Sequence, residues 1–87
     1  MKPVLSLERA RKSVREVLKL AEGEPQTEAQ VQTSVSELTG RSVTLQEVRD
    51  AMEWNHGEAL IRSEYITEAG KTGWFITKAG IAKENLK

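Results

Sequence analysis

The chain has 87 residues, 38% hydrophobic and 30% charged, which suits one soluble globular domain with a single modest core and excludes a disordered segment or two domains. It has no cysteine, which excludes disulfides and thiolate metal sites and makes a reducing cytoplasm the simpler home. No apolar run approaches the roughly 18 residues of a membrane span, and the start, Met1 to Leu5, turns charged at Glu8 and Arg9 without the apolar centre of a signal peptide.

Thirteen basic and thirteen acidic side chains give a formal net charge of zero, but they are unevenly placed. Residues 1–20 hold six basic and two acidic groups (+4), residues 21–58 two and eight (−6), and residues 59–87 five and three (+2). A first helix is predicted over about 6–22, stopping near Gly23. Leu7, Ala10, Val14, Val17, Leu18 and Ala21 follow the i, i+3, i+4, i+7 spacing of one buried stripe. Arg11, Lys12, Arg15 and Lys19 fall together on a flank of that helix. They form either a solvated face with local pairs such as Glu8 with Lys12, or a basic stripe for phosphates or an acidic partner.

Gly23 to Gln26 reads as a linker, with Pro25 barring continuation of the first helix. Two helix starts follow, Thr27-Glu28-Ala29-Gln30 and Thr44-Leu45-Gln46-Glu47, each a threonine with Gln or Glu three residues on. In this capping box the hydroxyl takes one orphan backbone N–H and the longer side chain reaches back for another. The second helix, about 28–38, should bury Val31, Val35 and Leu38, and Gly40 in the turn Thr39 to Val43 is its natural stop. The third, about 45–57, should bury Leu45, Val48 and Met52 with Asn55 or Ala59. Its opposite face centres on Asp50, with Gln46 and Glu53 beside it and Glu47 and Trp54 on the far flank; Arg49 is its one basic residue.

Strands are predicted over about 60–67 and 73–77, joined by a loop from Glu68 to Thr72. Alternation of Ile61, Ser63, Tyr65 and Thr67 with Arg62, Glu64 and Ile66 suggests one mostly covered face. Tyr65, Trp74 and Phe75 would supply cross-strand pairs. Thr77 can cap a last helix over about 78–86, with Ile81 and Ala82 turned inward. The expected class is α+β, one domain over 1–87: three helices containing a helix-turn-helix, a two-stranded hairpin and a short final helix.

From Val43 onward the chain resembles bacterial winged-helix DNA-binding proteins. The resemblance lies in Val48-x-x-Ala51-Met52, a Gly57 shortly before Leu60-Ile61, and the closing run Trp74-Phe75-Ile76-Thr77-Lys78-Ala79-Gly80. It implies duplex DNA binding with the third helix in the major groove and the hairpin, or wing, beside it, although the superfamily also holds RNA-binding and protein-binding members. On that expectation Ser42, Thr44, Gln46 and Arg49 would contact the groove, Lys71 and Thr72 the backbone, and Arg41 a phosphate. The acidity of the third helix departs from the pattern, since Glu47, Asp50 and Glu53 would meet phosphates with like charge.

The alternative is a protein-recognition module, using Glu47, Asp50, Glu53 and Trp54 against a basic partner. Trp54 reads either as such an anchor or as packing against the wing or first helix. A homodimer is a further possible arrangement. No catalytic, cofactor or metal site is expected. Gly70-Lys71-Thr72 lacks the Gly that a phosphate-binding loop needs five residues earlier, where Tyr65 stands, and a β-like run follows it. His56, the sole histidine, has no second ligand and reads as a helix-end dipole partner.

Overall fold

The computed structural model describes residues 6–85. Their order is α1 (Leu7–Leu20), α2 (Glu28–Thr39), α3 (Leu45–Gly57), β1 (Ile61–Ile66), β2 (Lys71–Ile76) and α4 (Lys78–Asn85). None of the helices is long and apolar enough to cross a membrane.

Each helix start has a local cause. Ser6 accepts a hydrogen bond from the Arg9 amide and opens α1. Both threonine capping boxes form: Thr27 with Gln30, and Thr44 with Glu47. Gly40, at φ 69°, ends α2 in the left-handed region. The turn after it is held by polar residues of α2. Ser36 Oγ accepts from the Val43 amide at 3.2 Å, and Gln32 Nε2 donates to the Val43 carbonyl at 3.0 Å. Val43 is thereby tucked into the core ahead of α3.

The core is built from Ala10, Val14, Val17 and Leu18 of α1, Val31 and Val35 of α2, and Val48, Ala51 and Met52 of α3, closed by Val43, Ile61 and Ile76. Of the expected core positions, Ala21 and Leu45 are only partly buried outside it, and Leu7, Leu38 and Ala82 are exposed. Leu7 is 67% exposed, because it sits at the start of α1, one turn before the first core residue, Ala10. Leu38 is 40% exposed and Ala82 is exposed, because α2 makes its last core contact at Val35 and α4 turns Ile81 inward instead. Asn55 is fully buried on the α3 face, whereas Ala59 lies beyond the helix, exposed.

The strands pair antiparallel from Ile61↔Ile76 to Ile66↔Lys71, so the connection is Thr67 to Gly70, and Lys71 and Thr72 belong to β2 rather than to the loop. The base of this ribbon and Trp74 of β2 reach the core. Ile61 and Ile76 are buried, whereas Tyr65 is 64% exposed, because no second layer covers the outer hairpin. The aromatics do not pair with one another across the strands: Tyr65 faces Thr72, Ser63 faces Trp74, and Arg62 faces Phe75, with its guanidinium 4.3 Å from the ring centroid. Trp74 meets His56 edge-on at 5.5 Å.

Gln26, expected in a linker, exchanges two backbone hydrogen bonds with Trp74 (2.8 and 3.2 Å) and gives β2 a one-residue third strand. At the end of α3 the left-handed position falls to Ala59 (φ 59°), two residues after Gly57, which stays helical. Thr77 Oγ1 donates to the Ala59 carbonyl at 2.8 Å and accepts from the Gly80 amide at 3.1 Å, so one hydroxyl ties this turn to the start of α4. Gly80 is buried there, where any Cβ would overlap the Leu60 carbonyl.

Candidate nucleic-acid interface

The basic flank of α1 is partly tied down within the chain. Arg15 is 7% exposed; its Nε donates to Glu84 of α4 at 2.7 Å and its Nη1 to Asn55 Oδ1 at 2.9 Å. Asn55 Nδ2 donates in turn to the carbonyls of Arg11 (3.1 Å) and Ala51 (2.9 Å). Lys12 reaches Glu84 at 3.3 Å and Glu16 at 3.9 Å, Lys19 reaches Asn85 at 2.6 Å, and Arg11 lies 4.5 Å above the ring of Trp54. The acidic partner of this flank is largely the chain's own α4. The expected Glu8 to Lys12 pair is absent among the described residues; Lys12 pairs with Glu16 and Glu84 instead.

With α1 against Trp54 and α2 against Arg49, the face of α3 between them points outward. Arg41 and Ser42 are exposed in the turn before it. Thr44 Oγ1 accepts from the Glu47 amide at 3.0 Å, and the Glu47 carboxylate folds back to accept from the Thr44 amide at 2.8 Å. This withdraws one of the three acids from the outer face. Gln46 Nε2 donates to Asp50 at 2.8 Å, so Asp50 and Glu53 remain as the exposed carboxylates of that face. Arg49 is held by Glu28 of α2 at 3.2 Å, with both side chains substantially exposed.

Lys71 and Thr72, exposed on β2, share an open concavity of about 460 Å³ with Thr27, Glu28 and Ala29. The structure therefore gathers Arg49, Lys71 and Thr72 around the start of α2, and sets Arg41, Ser42, Thr44 and Gln46 at the start of α3. Trp54 is half-buried and packs on α1, so the alternative face of Glu47, Asp50, Glu53 and Trp54 is divided.

A solved structure of a MarR-family transcriptional regulator from Silicibacter pomeroyi is similar to this chain with a TM-score of 0.70 and 18% identity, over 93% of this chain and 48% of that one. The fold is a winged helix. In these terms α2 and α3 are the helix-turn-helix, the hairpin is the wing, and the Gln26 bridge is the stub of a third strand beside it. The chain spans about half the length of that regulator. No protein-family model matches the chain, and no curated protein matches it either.

Sequence reasoning missed one contributor to this surface, Glu28, and gave Glu47 two roles without choosing between them. Glu28 sits in a capping-box stretch and gave no sign that it would neutralise Arg49 from another helix. Glu47 was legible as a cap residue, and the same observation removes it from the acidic face.

Proposed function

We propose that this winged helix binds duplex DNA as a module of a transcriptional or mobile-element regulator. The first turn of α3 would lie in the major groove and β2 of the wing along the backbone. The observation that carries this reading is the withdrawal of Glu47 into the Thr44 cap. It leaves Arg41, Ser42, Thr44 and Gln46 as the leading edge of α3, with Asp50 and Glu53 a turn or more behind. Recognition helices meet base edges with their N-terminal residues, so Asp50 and Glu53 sit where contact is weaker, while the Glu47 carboxylate is turned back onto the Thr44 amide. Ser and Thr hydroxyls and the Gln46 amide have the donors and acceptors to read base edges, while Arg41, Arg49 and Lys71 supply phosphate contacts. The structural likeness to a transcriptional regulator supports the same reading.

About three cations per molecule imply a slope of about −2.7 in log affinity against log salt, or roughly 40-fold weaker binding between about 50 and 200 mM salt. Fluorescence anisotropy with a labelled mixed-sequence duplex measures that slope. A flat response, or no binding at low salt, overturns the proposal. With so few cations on this surface, a dimer or attachment to a larger assembly is the natural way to add contacts.

A second reading rests on a different observation: the Glu28 pair holds Arg49 while Asp50 and Glu53 stay exposed. Such a face suits a basic protein partner. Substituting both acids with Asn and Gln separates the two readings, since it strengthens DNA binding and weakens a basic partner.

A further inference from the structure

On the other side of Trp54 from the outward face, a cleft of about 540 Å³ opens between the first half of α1, the end of α3 and α4. Arg9, Arg11, Lys12, Arg15 and Lys83 line it, with Trp54 as its aromatic wall. Its volume lies within the range of small-molecule sites. The three carboxylates at or beside it are Glu8, which lines it, and Glu16 and Glu84, which pair with Lys12 and Arg15. Among the described residues, five cations against these three acids give a local charge of +2. Among the described residues Arg9, Arg11 and Lys83 make no ion pair, and Arg9 and Lys83 are exposed. Arg11 is carried on the Trp54 ring, an arrangement that holds a guanidinium by its face and leaves its in-plane N–H fork for an oxyanion. The cleft also receives the opening turn of α1, Ser6 to Arg9, whose dipole favours negative charge.

We propose that this cleft binds a phosphate monoester on a small planar molecule. A local charge of +2 complements a phosphate monoester, which carries about −1.5 to −2 at neutral pH, better than a single carboxylate. Three unpaired cations with an arginine fork match the three terminal oxygens of such a group. Arg11 already lies on one face of the half-buried Trp54, so the attached ring would pack on the flat Arg11 guanidinium or against the free edge of the indole. The same chemistry is offered by a free nucleotide and by the 5′-phosphorylated end of a nucleic-acid strand. The site is separate from the α3 face, so it does not depend on the DNA-binding proposal.

The test is a ¹H–¹⁵N NMR titration of the whole chain with adenosine 5′-monophosphate, inorganic phosphate and adenosine in parallel. The monophosphate should give saturable shifts at the Trp54 indole N–H, at the Arg9, Arg11 and Lys12 amides and at Lys83. Inorganic phosphate should shift the same amides at about tenfold weaker affinity, and adenosine should shift none at matched concentration. Arg11→Gln should weaken the monophosphate about tenfold, as should Arg9→Gln with Lys83→Gln, a pair of exposed residues whose loss leaves the core intact. A 5′-phosphorylated dinucleotide compared with its unphosphorylated form distinguishes the sources. Binding of the phosphorylated form as tight as that of the monophosphate identifies a strand end, and tighter binding of the monophosphate a free nucleotide. The proposal is overturned by absence of saturable shifts up to about 10 mM, by equal shifts with adenosine, or by unchanged affinity in both variants.

Discussion

Replacing Arg15 with Met tests how α4 is joined to the helical body. In the native chain the guanidinium is bonded to Glu84 at 2.7 Å and to Asn55 at 2.9 Å, and the Arg15 and Glu84 side chains are 8% and 4% exposed. Met keeps much of the aliphatic stem but leaves the Glu84 carboxylate buried and Asn55 Oδ1 without this donor. Breaking one side of a buried pair costs about 3–5 kcal/mol. Lys12, still 3.3 Å from Glu84 but half in solvent, retains part of the compensation, so the expected loss is at the low end, about 3 kcal/mol. For a domain of this size that lowers the midpoint of thermal unfolding by roughly 12–24 °C. Glu84→Gln keeps an acceptor without the charge and should cost about 1–2 kcal/mol. The double substitution Arg15→Met with Glu84→Met removes both charges and should recover at least half of the single-variant loss. Urea unfolding followed by tryptophan fluorescence reads all three. A loss below about 1 kcal/mol for Arg15→Met, or strict additivity in the double variant, would show that the bridge does not hold α4.

Ala59→Gly should stabilise the protein by about 1 kcal/mol in the same assay, because Ala59 adopts φ 59°, a conformation that costs an L-residue but not glycine. Gly80→Ala should do the reverse of what helix propensity suggests: the added Cβ meets the Leu60 carbonyl oxygen and the Ile76 side chain, and a loss of about 2 kcal/mol or more is expected where propensity alone gives a gain of about 1. Glu28→Gln releases Arg49 from its 3.2 Å pair and removes a like charge from the phosphate side, and on the DNA-binding proposal it should tighten duplex binding at low salt.

The helices were legible because their signals are local. Each capping box is complete within four residues, and Gly40 stops α2 by its own conformation. The strands were legible as elements but not in their pairing, since register depends on where the turn closes, and the chain closes it at Thr67 to Gly70. What could not be read depends on contacts distant in sequence. Arg15 is one of four similar cations on a helix flank, and only its docking against Asn55 and Glu84 separates it from Lys12. Gln26 becomes a strand partner solely through Trp74, 48 positions away. For the candidate interface, the residues at the start of α3 stood out by position, but the charge they present did not. Glu47 is withdrawn by a local cap, and Arg49 is neutralised by Glu28 of another helix.

The most direct test of duplex recognition is a ¹H–¹⁵N NMR titration of the chain with a mixed-sequence duplex, at low and then at physiological salt. Shifts should cluster at Arg41, Ser42, Thr44, Gln46 and Arg49 and at Lys71 and Thr72, and should weaken as salt rises. Absence of shifts at both salts, or shifts confined to Arg9, Arg11 and Lys83, would contradict a DNA-reading α3.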